Sequence, residues 1–349
     1  MNEPIGRVLD GKYRLSRLVG EGGMGAVYEA DHVRIHRKFA VKLMRRDVEG
    51  GNASVERFHR EAMAASSIGH PNIVEIFDVG VEPDGTAFIV MELLRGVSLS
   101  AMLKLEGVVV RPRAVSFALQ VLSALDAAHR KGIVHRDLKP DNVFISVDKL
   151  MREVVKVLDF GVAKFQGGPT EDLELTKSGV VFGSPYYIAP EQARGRRDLD
   201  QRIDLWAVGV SLYYMLSGKR PFDGENYNEI LGRILMDDPP PLVTLAPEVE
   251  PGLARVVERA MAKDRDARFA TAAEMLEALM PFHEPEVESM STQVLQVLGS
   301  RPDRPSSDPF EATRPSGPLP AAIGRPRARG RTALLGLAAL ALAGLGLGI

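Results

Sequence analysis

The chain has no cysteine among its 349 residues. That excludes disulfides, thiolate zinc sites and a thiol nucleophile, and it fits a reducing compartment. An excess of charge of one sign is also missing. Lys and Arg number 44 against 46 Asp and Glu, a formal net charge of −2. Such a balance offers nothing special to a polyanion, so nucleic acid is not an expected partner. The opening stretch "MNEPIGRVLDGKYRLS" contains no apolar run, and no cleavable signal peptide is expected. No apolar run of bilayer-spanning length occurs before Thr332.

From Thr332 to Ile349 the text is "TALLGLAALALAGLGLGI", without a charge. At about 1.5 Å per residue a helix of this length reaches about 27 Å, near the lower limit for a bilayer. Arg325, Arg327, Arg329 and Arg331 stand just before it, and basic flanks stay on the cytoplasmic side. A single transmembrane helix over 332–349, with the rest of the chain cytoplasmic, is the expectation. The run is still apolar at Ile349, which fits either a tail anchor or a longer protein cut at this point. Residues 283–331 are rich in Pro, Ser and Arg and read as a juxtamembrane linker. The folded part is expected over 13–282, after an N-terminal extension over 1–12.

The first third of the folded part reads as short strands. "YRLSRLV", "GAVYEADH", "KFAVKLMR", "IVEIFDVG" and "TAFIVMEL" are rich in β-branched and aromatic residues and separated by turn signals. One helix interrupts them. "SVERFHREAMAASSI" spaces Val55, Phe58, Ala62, Ala65 and Ile68 helically, with Ser54 as N-cap. Beyond Gly96 helices take over. "PRAVSFALQVLSALDAAHRKG" has Pro112 near its start and Gly132 past its end. "DLWAVGVSLYYMLSG" is apolar all round and should be a buried axis.

Gly20, Gly22 and Gly25 have the spacing G-x-G-x-x-G. That spacing alone fits a dinucleotide-binding βαβ unit or a phosphate-covering hairpin. A dinucleotide site needs a helix N-terminus after the glycines. Here "AVYEA" follows, and Val27 and Tyr28 favour a strand. The glycines therefore belong to a hairpin. His32 and His36 have i, i+4 spacing, but they fall at an expected strand turn and read as an exposed loop.

The strongest signal is "IVHRDLKPDNVFI" followed by "VKVLDFG". With "GEGGMGAVY", "FAVK", "APE" and "RDARF", in that order along the chain, it resembles the protein kinase family. The resemblance implies an α+β bilobal fold: a small antiparallel β lobe with one regulatory helix, and a larger, mainly α-helical lobe. It implies ATP and Mg²⁺ as cofactors. Asp137 would accept the substrate hydroxyl's proton, and Lys139 would meet the γ-phosphate. Lys42 would hold the α- and β-phosphates, paired with Glu61. Asp159 and Asn142 would bind the metal ions. The nucleotide would lie among Val19, Gly20, Gly22, Gly25, Val27, Ala40 and Phe144, with the backbones of Glu92 and Leu94 at the adenine edge and Met91 as gatekeeper. Glu191 would pair with Arg268, Asp204 would tie down the catalytic loop, and His135 and Phe160 would stack between the lobes.

Lys139 in "HRDLKPDN" and Ser184 in "GSPYYIAPE" favour Ser/Thr specificity. "GGMG" and "YYIAPEQ" look like bacterial Ser/Thr kinases of eukaryotic type, often anchored by one membrane helix. By the same likeness Arg136 would collect a phosphate on the activation segment, which offers Thr170, Thr176, Ser178 and Ser184. Thr176 and Ser178 stand where relatives are phosphorylated, and self-association for autophosphorylation is the corresponding partner expectation. A small-molecule phosphotransferase would not be expected to carry "APE" behind a long activation segment. A catalytically dead scaffold would lack one of Lys42, Asp137, Asn142 or Asp159. A membrane-bound binding module would not need all four.

Overall fold

The computed structural model describes residues 4–22, 25–44, 59, 62–63, 65–148, 152–160 and 185–284. All of them lie in the first of two units, Met1–Pro302. The N-terminal part is a sheet of β1 (Val8–Leu9), β2 (Tyr13–Gly22), β3 (Gly25–His32), β4 (Lys38–Met44), β5 (Ile76–Val81) and β6 (Ala87–Glu92). Its order is β1-β2-β3-β4-β6-β5, antiparallel throughout.

Strand alternation sorts the side chains. Tyr28 and Ala30 on β3, Phe39, Val41 and Leu43 on β4, and Phe88 and Val90 on β6 form one buried cluster on the outer face. Their neighbours Val27, Ala40, Lys42, Ile89 and Met91 therefore take the opposite face. Against that face packs the helical residue Ala62, beside Ala87 and Ile89. Ser54, Val55, Phe58 and Glu61 of the expected helix lie outside the described residues.

The second part is helical. A small sheet of β7 (Gly96–Ser98), β8 (Val143–Val147) and β9 (Glu153–Val157) lies at its edge. Its helices are α1 (Leu99–Glu106), α2 (Arg111–His129), α3 (Pro190–Ala193), α4 (Arg202–Ser217), α5 (Tyr227–Met236), α6 (Leu242–Leu245), α7 (Pro251–Ala260) and α8 (Ala272–Leu279). Ser98 caps α1, its Oγ accepting from Ala101 N at 3.1 Å. α4 is the axis: Ile203 through Tyr213 are all buried, and Gly218 ends the helix in the left-handed region at φ 66°. Fully burying one such Leu, Ile or Phe side chain stabilises by about 1.5–3 kcal/mol.

Two boundaries differ from the sequence expectation. Val8 and Leu9 pair with Arg14 and Tyr13, and Leu9 is fully buried, so the sheet begins inside the expected extension. Two residues are too short for periodicity to register. β5 starts at Ile76, because Ile73 and Val74 are used elsewhere. Ile73 bridges to Val157, and Val74 N donates to Val157 O at 3.0 Å, joining the two parts.

Candidate active site

The cleft face of the N-terminal sheet carries Val27, Ala40, Lys42 and Met91, in register as Val27 opposite Lys42 and Ala40 opposite Met91. Val19, at the end of the same roof, is exposed. Two glycines of the hairpin have different reasons to be glycine. A Cβ on Gly20 would meet nothing within 4 Å, so its bareness leaves room for a ligand. A Cβ on Gly25 would sit 2.0 Å from Leu43 O. Gly25 is thus required by close approach to β4, a constraint that the motif reading attributed to phosphate alone. Gly22 ends β2 opposite Gly25.

At the back of the cleft, Glu92 is held by its surroundings. Its Oε1 accepts from Lys156 Nζ at 2.6 Å and Glu75 N at 3.0 Å, and its own N–H donates to Glu75 O. The kinase resemblance would set the Glu92 carbonyl against an adenine edge. Leu94 lies two residues on, and Phe144 on β8 pairs with Ser98 and Lys156.

The catalytic loop lies below. Lys139 Nζ donates to Asp137 Oδ2 at 3.0 Å. Asn142 Nδ2 donates to Asp137 O at 2.8 Å and to Asp137 Oδ2 at 3.3 Å. This leaves Asn142 Oδ1 for a cation. Lys42 Nζ meets Asp159 Oδ1 at 2.8 Å, with Asp159 half exposed. One bond thus spans from β4 to the segment after β9. Glu61, the expected partner of Lys42, lies outside the described residues.

Strained backbone aims these groups. Arg136 has φ 67° and Asp159 φ 47°. Each non-glycine residue in that region costs about 1–3 kcal/mol unless its surroundings fix it. The fixing group is Asp204, only 1% exposed. Its carboxylate accepts from His135 N at 2.8 Å, Arg136 N at 2.9 Å and His129 Nε2 at 2.8 Å. At Asp159 the turn sends the carboxylate into the cleft while Phe160 enters the core, 4.7 Å from the His135 ring. His135 Nε2 also bonds to Leu158 O at 2.9 Å. His135 is therefore a packing and positioning residue.

Glu191 and Arg268 form a buried bidentate pair at 2.8 Å and 2.8 Å. Arg268 also donates to Ala262 O, Arg202 O and Lys263 O. Gln192 beside it donates to Arg136 O at 3.3 Å, joining this anchor to the catalytic loop.

Sequence reasoning missed His129 and Gln192. "YYIAPEQ" displayed Gln192, but nothing local marked its reach to Arg136. His32 and His36 lie at the strand turn, where His32 Nδ1 accepts from Arg34 N and Ile35 N. No group of three His, Cys, Asp or Glu that could hold a metal ion occurs among the described residues. A hard cation brought by phosphates takes few protein oxygens and keeps waters. Asp159 and Asn142 Oδ1 fit that role. Thr170, Thr176, Ser178 and Ser184 lie outside the described residues, as does 332–349. Among the described residues no helix is long and apolar enough to cross a membrane.

Residues 13–284 match the family described as Protein kinase domain. The chain belongs to the protein kinase family. The kinase fold, a sheet lobe on a helical lobe, is also that of the Mycobacterium tuberculosis PknI kinase domain. That structure is 26% identical, with TM-score 0.61, covering 81% of this chain and 100% of that one. Rad53 residues 1–466, solved in complex with AMP-PNP, is 25% identical with TM-score 0.63, covering 78% of this chain and 65% of that one. Serine/threonine-protein kinase pkn3 of Myxococcus xanthus is 39% identical over 273 residues, 78% of this chain and 50% of that protein. Serine/threonine-protein kinase PrkC of Bacillus subtilis is 37% identical over 271 residues, 78% of this chain and 40% of that protein. Serine/threonine-protein kinase PknB of Mycolicibacterium smegmatis is 34% identical over 340 residues, 96% of this chain and 53% of that protein. The kinase chain spans about half the length of these relatives, or less.

Proposed function

We propose that the chain transfers the γ-phosphate of ATP to serine and threonine hydroxyls of proteins. One observation carries the reading. Asp137, Lys139 and Asn142 are bonded into one cluster, and Lys42 is bonded to Asp159 across the same cleft. The names of the relatives support the Ser/Thr class.

Bound Mg-ATP would supply the phosphoryl group and the metal charge that neutralises it. The chain's residues do the rest by positioning and electrostatics. Asp137 orients the acceptor hydroxyl and takes its proton. Lys139 stabilises charge on the moving phosphoryl group. Lys42 holds the inner phosphates, and Asp159 and Asn142 hold the metal. Val19, Gly20, Gly22, Gly25, Val27, Ala40, Met91, Glu92, Leu94 and Phe144 enclose the nucleotide. The bond from oxygen to γ-phosphorus breaks as the new bond to the acceptor oxygen forms. The test is incubation of the full chain with labelled ATP and a generic protein substrate, followed by phosphoamino-acid analysis. Label on serine or threonine is expected; label confined to tyrosine, or none, would overturn the reading.

Two finer features belong to the same reading. Residues 332–349 anchor the chain, with the kinase domain cytoplasmic; the full chain should then sediment with membranes and resist carbonate extraction. Thr176 and Ser178 are autophosphorylated between neighbouring copies, and Arg136 meets the added phosphate through charge-assisted hydrogen bonds. Mass spectrometry of the wild type and of Asp137→Asn should show phosphate there only in the active form.

A further inference from the structure

The turn Pro185–Tyr187 stands just before the Glu191–Arg268 anchor, and Gln192 ties the same segment to Arg136. The turn is thereby held beside the catalytic loop. Against it lies Arg220. Its guanidinium carbon sits 3.9 Å from the Tyr186 ring centroid and 5.8 Å from that of Tyr214. The chain puts it there because Gly218 ends α4 in a left-handed turn and Phe222 then stacks on Trp206 at 5.9 Å. Arg220 is thus fixed between a helix cap and a buried ring.

Asp223, 63% exposed, approaches Arg220 only to 4.0 Å. An exposed pair at that distance contributes little and is readily exchanged. Asp141, four residues past Asp137, is exposed. Tyr187 reports on both: burial raises its hydroxyl's pKa, Arg220 opposes that rise, and Tyr214 and Asp141 add to it. Arg220 and Asp141 therefore act on Tyr187 with opposite sign. One contact of the Arg220 guanidinium goes to the Tyr187 hydroxyl; over the Tyr186 face the group is weakly hydrated, and its remaining N–H groups can meet a carboxylate.

We propose that Arg220, on its Tyr186 platform, forms a subsite that selects an aspartate or glutamate at one position of the protein substrate. The inference rests on the reading of the chain as a protein kinase. Asp141 repels an acidic residue from the acceptor side of Tyr187, which confines the preference to one position.

The test is phosphorylation of a positional peptide library around a central Ser or Thr by the full chain. Wild type should favour Asp and Glu at one position by roughly fivefold over Ala, about 1 kcal/mol. The preference should shrink as salt rises from about 0.05 M to about 0.5 M. Arg220→Glu should turn it toward Lys and Arg at that same position. Tyr186→Leu should weaken it, and Tyr186→Phe, which keeps the ring face, should retain it. Each reading is a ratio of peptides within one preparation, so partial unfolding of a variant cancels. Robust phosphorylation with no acidic preference, or an unaltered preference in Arg220→Glu, would overturn this inference and leave the kinase reading standing. Failure to phosphorylate any Ser or Thr peptide or protein would overturn both.

Discussion

Asparagine at position 204 changes one oxygen of a buried side chain into a donor and little else. The consequence can be worked from the contacts. Asp204 Oδ2 accepts from His135 N and His129 Nε2, and Oδ1 accepts from Arg136 N. Whichever way an Asn amide is turned, its NH₂ faces a backbone N–H. In the better orientation, with NH₂ toward Arg136 N, one charge-assisted bond worth about 1.5–3 kcal/mol is lost, and a buried donor is left unpaired. Asp204→Asn should therefore lower the unfolding free energy by about 2–4 kcal/mol, read from urea denaturation. The effect on activity should be larger than this suggests. Arg136 at φ 67° is retained only while its N–H is anchored, and Asp137 follows it directly. A shift of the base by about 1 Å costs about 100-fold in rate. The kcat of phosphate transfer should fall about that much, with a smaller change in the KM for ATP, because Ala40 and Lys42 belong to the other lobe. Stability within about 0.5 kcal/mol of wild type together with kcat within about threefold would refute the reasoning.

Arg268→Ala strands the Glu191 carboxylate in a buried site and should cost about 3–5 kcal/mol by denaturation, with Arg268→Lys failing to restore the bidentate pair. Gly20→Ala should fold normally and raise the KM for ATP, whereas Gly25→Ala, whose Cβ would lie 2.0 Å from Leu43 O, should lose stability before any nucleotide is added. Burial pushes the Lys263 ammonium down from 10.5 to about 8, with Arg194 and Arg268 acting in the same direction against Asp238 and Asp237. Between those values the unfolded chain keeps a proton that the folded chain has released, so stability rises with pH across that window. Wild type should gain on Lys263→Met as pH climbs through it, and a constant difference would contradict the shift.

The groups proposed to act on phosphate could be named because each sits in a short motif whose chemistry is local. Lys42, Asp137, Lys139, Asn142 and Asp159 needed only their neighbours in sequence to be named. The strands were legible wherever alternation ran long enough, as in β3 and β4. What escaped depends on distance along the chain. His129 meets Asp204 from 75 residues away. Arg113, inside an apolar helix pattern, is buried by Glu106 and Glu153, at 2.8 Å and 2.7 Å. Ile73 and Val74 read as the start of a strand, but they pair with Val157 of the other part and not within β5. Gly25 is an instructive overlap, since one residue satisfies both a motif and a backbone contact that the motif does not mention.

The most direct measurement compares wild type with Asp137→Asn in transfer of labelled phosphate to a Ser/Thr protein substrate, with urea denaturation run on the same samples. The substitution keeps the side-chain shape and removes the proton acceptor, so both proteins should unfold at similar urea concentrations. Transfer by Asp137→Asn should fall by about 100-fold or more, within the range general-base catalysis supplies. Transfer within about tenfold of wild type, a barrier change of only about 1.4 kcal/mol, from an equally stable variant would contradict the assignment of Asp137 as the base.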